Sequence, residues 1–196
     1  MKLQTVINLE KQRSNLIDYN SHILALGSCF VEHIGEKIAY FKFKNLINPF
    51  GILFHPIAIE NILYHAIYKK RYLDKDTFFL NEQWHSFDVH SALSDVSKTV
   101  FLQRLNKAVQ SIEQYISTST HVIITLGTSW CYFYKETNAP VANCHKISQN
   151  KFEKKILSTH QVSKSLENSI ALIRKENKTC QIIFTVSPIR LSLIHI

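Results

Sequence analysis

His22-Ile23-Leu24-Ala25-Leu26-Gly27-Ser28-Cys29-Phe30 is the stretch that decides the reading of this chain. An apolar run of strand type stops at a Gly-Ser pair and passes directly into helix-forming sequence, which places the Ser28 hydroxyl at the carboxyl end of a strand. Open α/β sheets take ligands in the crevice beyond such strand ends. The amino end of the following helix adds unpaired N–H groups that favour developing negative charge. Ser28 is therefore the first candidate nucleophile.

Working outward, strand and helix periods alternate. The spacing predicts a helix over Val31 to Tyr40, with Val31, Ile34 and Ile38 on one face. A short apolar run follows over Asn45 to Ile52, broken by Pro49 and Gly51. Pro56 suits the first turn of a second helix, where its missing N–H costs nothing, and Ile59, Ile62, Leu63, Ala66 and Ile67 form its buried stripe. The aromatic-rich runs either side of Asn81-Glu82-Gln83 read as a hairpin within Thr77 to Asp88. Ser94-Asp95 is the expected cap of a long helix whose stripe is Phe101, Leu105, Ala108, Ile112 and Ile116.

His121 to Leu126 is the next buried strand and again ends at a glycine, Gly127, so a second loop arrives at the same sheet edge. Cys131 to Lys135 and Val141 to Cys144 read as another hairpin. Val162, Leu166, Ile170 and Ile173 mark a last helix, and Gln181 to Val186 a last strand running into Ser187-Pro188. Strands alternating with helices imply right-handed crossovers and a largely parallel sheet with helices on both faces. The expected class is α/β, a three-layer sandwich.

The 196 residues, 45% of them hydrophobic, suffice for one sizeable core in a single domain. The amino end has no apolar signal region and no run approaches the length of a membrane span, so a soluble, cytoplasmic protein is the expectation, with no membrane partner. Four cysteines, Cys29, Cys131, Cys144 and Cys180, show no Cys-x-x-Cys pair and read as reduced thiols. The net charge of +8 is carried in part by Lys69-Lys70-Arg71 and Lys154-Lys155, short clusters near expected helix ends or loops. No helix-turn-helix, aromatic RNA platform or zinc module accompanies them, so no nucleic-acid partner is expected. Ten histidines include no helical pair at three- or four-residue spacing with a carboxylate, and four glycines build neither a dinucleotide fingerprint nor a P-loop. Neither a metal nor an organic cofactor is expected.

Gly27-Ser28-Cys29-Phe30 resembles the defining signature of GSCFA-domain proteins, which are similar to SGNH/GDSL-type hydrolases. The resemblance extends in order through Asn48-Pro49-Phe50-Gly51-Ile52, Trp84-His85-Ser86-Phe87-Asp88, Gly127-Thr128-Ser129-Trp130, Val141-Ala142-Asn143-Cys144-His145-Lys146 and Thr185-Val186-Ser187-Pro188. It implies an SGNH-hydrolase-like, flavodoxin-like fold and a serine hydrolase acting on an acyl or carbohydrate ester, with Ser28 as nucleophile. The oxyanion formed on attack needs convergent donors, for which the Ser28 N–H, the Gly51 N–H and a side-chain amide are the natural set.

The chain departs from the wider pattern in three places. Where SGNH enzymes carry asparagine two residues after a glycine, Gly127-Thr128-Ser129 carries serine; Asn48, beside Gly51, and Asn143, beside His145, are the substitutes, and spacing does not choose between them. Phe54-His55-Pro56 has histidine where asparagine is expected. The Asp-x-x-His block that supplies base and orienting carboxylate is not found, since Ser192 stands three residues before His195. These features read as an incomplete domain over 1–190 lacking its carboxyl-terminal elements, followed by a non-native tail over 191–196, and hence as an inactive fragment of a longer enzyme.

The remaining candidates have plainer readings. Cys29 reads as structural, since no histidine pairs with it. Asn143 and His145 either face the pocket or close the hairpin. Trp84, His85 and Asp88 line a sugar-binding wall or simply hold a loop, while His90 and His121 satisfy local hydrogen bonds. The functional alternative to a hydrolase is a non-catalytic domain that binds a polysaccharide or another partner. Oligomeric state is not legible.

Overall fold

The computed structural model describes residues 10–186. Its centre is a four-stranded, wholly parallel sheet in the order β2 (Lys44–Ile47), β1 (His22–Gly27), β5 (His121–Leu126), β9 (Gln181–Val186). Two small antiparallel sheets stand beside it: the hairpin of β3 (Phe78–Leu80) and β4 (Gln83–His85), and a three-stranded sheet of β7 (Ala139–Val141), β6 (Trp130–Tyr134) and β8 (Phe152–Ile156). Four helices complete the chain: α1 (Cys29–Tyr40), α2 (Pro56–Ile67), α3 (Lys98–Thr118) and α4 (Thr159–Glu176).

The alternation of strand side chains sorts the helices onto two faces. Leu24 lies beside Leu46 and Val122 in register, and these join Leu26, Ile124, Ile182 and Phe184 in the main core against α2, α3 and Ile173 of α4. On the opposite face Ala25 lies beside Ile47, and α1 covers that pair. Gly35 makes this approach possible, since a Cβ there would fall 2.7 Å from Ile47 Cγ2. The buried positions of α1 are accordingly Val31 and Gly35, whereas Ile34, expected on the inner face, is exposed.

Two further expectations change. The cap of α3 is Ser97, whose Oγ accepts from the Val100 N–H at 3.4 Å, and not Ser94-Asp95. Asp95 is occupied in a bridge to Trp84, in accepting from the Ser97 N–H at 2.8 Å and in an ion pair with Arg104. Lys154 and Lys155, expected near helix ends or loops, lie within β8, which turns the expected Cys131–Cys144 hairpin into a three-stranded sheet. Phe152-Glu153-Lys154-Lys155-Ile156 has a single buried position and so no alternating apolar signal. Ser187-Pro188, the 191–196 tail and His195 lie outside the described residues.

Gly27 is the tightest point of the molecule. It has φ +136°, and a Cβ there would lie 2.1 Å from the Thr125 carbonyl oxygen. Gly27→Ala should cost roughly 3 kcal/mol or more, because both the backbone conformation and the β1–β5 contact resist it. Gly35→Ala meets only a movable isoleucine side chain and should cost clearly less. Urea denaturation of both variants checks the order; equal losses would show that the Gly27 contact is not the stiffer constraint.

Candidate active site

Three loops meet at the carboxyl edge of the central sheet, and the backbone ties them together. After β1, the Ser28 N–H donates to Thr125 O at 3.1 Å and Gly27 O accepts from the Leu53 N–H at 2.9 Å. After β2, the Asn48 N–H donates to Ala25 O at 3.0 Å, and the Asn48 side-chain Oδ1 accepts from the Gly27 N–H at 2.8 Å. After β5, the Gly127 and Thr128 N–H groups both donate to Phe54 O, at 2.9 and 3.0 Å. Asn48 and Gly51 have φ +40° and +73°, so the Asn-Pro-Phe-Gly turn curls back on itself, and its Gly51 N–H closes on Asn48 O at 2.7 Å.

Ser28 occupies the N-cap of α1, with φ −71° and ψ 176°, but its side chain does not cap. Serine is favoured at this position because its oxygen accepts from the first turn's N–H groups. Here Oγ makes no hydrogen bond and is sealed from solvent; the residue is 1% exposed. The amide nitrogen Nδ2 of Asn48 is likewise buried without a partner. Buried polar groups are overwhelmingly paired, and an orphaned one costs roughly 1–3 kcal/mol. Two such atoms therefore occur on neighbouring loops, one at the N-cap of α1 and the other on the loop bonded to Gly27.

The structure thus brings Ser28, Asn48 and Gly51 together. Two of the expected oxyanion donors, the Ser28 and Gly51 N–H groups, are already committed to Thr125 O and Asn48 O. The side-chain nitrogen of Asn48, Nδ2, is the uncommitted one. Among the described residues no imidazole or carboxylate hydrogen-bonds Ser28 Oγ.

Asn143 and His145 belong to a different cluster. Asn143 Oδ1 accepts from the His145 N–H at 2.8 Å, closing the turn after β7, with His145 at φ +50°. The His145 ring sits 4.8 Å from that of His85 and 5.7 Å from that of Phe78. Its Nε2 donates to Ser86 O at 2.7 Å, which leaves Nδ1 as a bare acceptor, buried without a partner. Burial pushes this imidazole down to about 4, with the Ser86 carbonyl acting in the opposite direction.

The other sequence candidates resolve into structural roles. His55, unexpected before Pro56, caps α2: Nδ1 accepts from the Ala58 N–H at 3.2 Å, and Nε2 faces Val141 O at 3.1 Å. His85 is held between Leu80 O and Ser94 Oγ. Asp88 is the centre of a polar hub in which Asn61 and Lys70 donate to its two oxygens and Tyr72 adds its hydroxyl at 3.0 Å. Lys70 also pairs with Asp76, and Lys69 with Glu113, so much of the Lys69-Lys70-Arg71 charge is answered within the fold. His90 receives the Ala92 N–H and His121 bonds Thr120 and Asn15.

Cys131 is buried 3.7 Å from His55 Nε2, and burial pushes its thiol up to about 12, which makes it inert as a nucleophile. Cys29 is half-buried. Among the described residues no group of three or more His, Cys, Asp or Glu has the arrangement of a metal site, and no helix is long and apolar enough to cross a membrane.

The sequence reading missed Thr125 and Phe54. Thr125 enters through its main chain, which leaves no side-chain signature. Phe54 stands between two blocks and reads as ordinary apolar filler, yet it lies over Gly127 beside Ser28.

Such an arrangement defines an α/β domain with a serine-bearing turn at the carboxyl edge of a parallel sheet. The chain belongs to the GSCFA family, whose model matches residues 22–196. No curated protein and no solved structure matches it.

His145 generates a pH dependence. Unfolded, its imidazole titrates near the ordinary 6.5; folded, near 4. Between these values the unfolded chain binds a proton that the folded one refuses, so the contribution is intact above pH 6.5 and is lost as pH falls towards 4. The loss amounts to roughly 3 kcal/mol. Denaturation midpoints from pH 7 to pH 4 should fall more steeply for the natural chain than for His145→Asn, which tolerates positive φ and does not titrate. Parallel curves would refute the assignment.

Proposed function

We propose that the protein is an SGNH-like serine hydrolase or acyl transferase that acts on acyl or carbohydrate esters, with Ser28 as nucleophile. The observation that carries this reading is the pair of unpartnered buried atoms, Ser28 Oγ at the N-cap of α1 and Asn48 Nδ2 on the loop whose oxygen holds the Gly27 N–H. A hydroxyl that forgoes the cap available to it is held for another bond. An amide nitrogen beside it, with its oxygen already fixed on the Gly27 N–H, is oriented to donate.

In the proposed reaction Ser28 Oγ attacks the ester carbonyl, its proton passes to a base, and the carbonyl oxygen becomes an oxyanion. The oxyanion accepts from Asn48 Nδ2 and from first-turn N–H groups of α1 other than that of Val31, which donates to Ser28 O at 2.9 Å. Asn48 therefore takes the role for which Asn143 was the other candidate, and the Gly51 N–H serves to shape the turn that carries it. No described residue hydrogen-bonds Ser28 Oγ, so the reading leaves the base unassigned. A parallel sheet with helices on both faces and its serine at a strand's carboxyl edge suits the three-layer, flavodoxin-like architecture of SGNH enzymes.

A second reading, a non-catalytic domain that binds a polysaccharide or other anionic polymer, draws on two observations. Ser28 Oγ is sealed, and β8 carries Lys154 over Trp130 and Tyr132, 4.9 and 5.4 Å from the ring centroids. A fluorophosphonate probe on the full natural chain separates the readings. The hydrolase predicts covalent labelling that Ser28→Ala abolishes and that Asn48→Ala slows by about 10²–10³, the usual effect of losing one oxyanion donor. A folded protein that shows no Ser28-dependent labelling belongs to the second reading.

A further inference from the structure

Ser28 cannot react in the conformation described, because its oxygen is sealed from solvent. Something must move, and Phe54 is the side chain so placed. A Cβ built on Gly127 would lie 3.0 Å from Phe54 Cδ1 and 3.1 Å from Ser28 Cβ. The aromatic edge and the serine side chain thus both border the one space that the missing Cβ of Gly127 leaves open.

The segment that carries Phe54 is fixed while its ring is not. Phe54 O accepts from both Gly127 and Thr128, the preceding Leu53 N–H is held by Gly27 O, and the following His55 caps α2. The side chain is nevertheless 38% exposed, on a protein whose core phenylalanines Phe50 and Phe101 are wholly buried. A half-exposed ring on an anchored backbone changes rotamer on the picosecond-to-nanosecond scale without disturbing the fold. Rotation about χ1 carries Cδ1 away from Gly127 and leaves every main-chain hydrogen bond in place.

Other neighbours of the serine lack this freedom. Thr125 is in the middle layer of the sheet, with its side chain bonded to Thr185 at 2.8 Å, and Gly127 has no side chain to move. Gly51 is pressed against His90, where a Cβ would lie 2.5 Å from the histidine Cβ. These surfaces form rigid walls. Phe54 is the apolar, movable one.

We propose that Phe54 is the gate of the Ser28 site, and that its displaced ring forms the wall against which the substrate's acyl group lies. The acyl part rests on the hydrolase reading; the gating part does not. Residue size at position 54 then sets which groups reach the serine: a flat aromatic wall admits a slender acyl chain, and a smaller side chain admits bulkier ones.

The test for gating uses a thiol in place of the hydroxyl, so that it is independent of any base. Ser28→Cys is made in the 196-residue chain, alone and combined with Phe54→Ala or Phe54→Leu, and treated with iodoacetamide. The modified peptide containing position 28 is followed by tandem mass spectrometry, in which fragment ions cut between positions 28 and 29 separate it from Cys29, and peptide mass separates it from Cys131, Cys144 and Cys180. Alkylation at position 28 should be at least 10-fold faster with Phe54→Ala than with Phe54 present, and intermediate with Phe54→Leu. Circular dichroism and unfolding midpoints for each variant establish that the fold is kept. Because Leu retains most of the apolar surface, it serves where Ala unfolds the chain.

Equal alkylation rates in all folded variants overturn the gate, whatever the fluorophosphonate result. A gate confirmed by alkylation, together with no fluorophosphonate labelling of the full natural chain, overturns the acyl wall along with the hydrolase reading and leaves Phe54 as the cover of a binding pocket. Where labelling occurs, Phe54→Ala should raise the rate for a branched-chain fluorophosphonate more than for a straight-chain one; an equal increase for both overturns the acyl wall alone.

Discussion

The contact between Gly27 and the Thr125 carbonyl governs the rest of the site. Parallel strands β1 and β5 run in register as far as Gly27 and Thr125, and there the first strand turns while pressed flat against the second. Any side chain at position 27 would occupy the space of that carbonyl oxygen. With Gly27 in place, its N–H is free to take Asn48 Oδ1, its carbonyl takes the Leu53 N–H, and the next residue donates to Thr125. One residue without a Cβ therefore sets the positions of Ser28, Asn48 and the Phe54 segment.

The sheet and its helices were legible because their signals are local. Apolar runs such as Leu24 to Leu26 and Val122 to Leu126 give strands, and the four- and three-residue stripe of α3 gives a helix, whatever lies around them. Elements that form only through their neighbours were not. β8 is a strand because β6 offers it an edge, and its own residues are mostly charged and exposed. The start of α3 shifted because Asp95, a good capping residue in isolation, is engaged by Trp84 and Arg104 across the chain.

The site was legible where a residue type is itself chemical. Ser28 and Asn48 were visible for that reason, as were Asn143 and His145, which share the same chemistry but satisfy a turn and an aromatic cluster instead. The choice between the two asparagines depends on which loop abuts Gly27, a fact of tertiary geometry. His55 shows the converse: a residue that looks chemical in the sequence but serves the backbone, since its imidazole Nδ1 caps a helix much as an asparagine oxygen does.

A comparison within the molecule separates structural from available polar groups. Asn177 is buried like Asn48, but both of its ends are engaged: Nδ2 donates to the carbonyls of Ile116 and Ser119, and Oδ1 accepts from the Thr179 and Cys180 N–H groups. Asn177 is what a buried asparagine looks like when its task is to join α3, α4 and β9. Asn48 uses only its oxygen. Ser165, also orphaned, lies alone within α4, and the bare nitrogen of His145 sits among aromatic rings, where burial keeps it neutral. Among the described residues, only at the carboxyl edge of the sheet do an unpaired oxygen and an unpaired donor occur on adjoining loops. An alanine at position 28 would remove that desolvation cost outright, whereas at position 48 it would also leave the Gly27 N–H without its partner and sit at φ +40°. Their occurrence together is the physical reason the proposed function is placed at this edge.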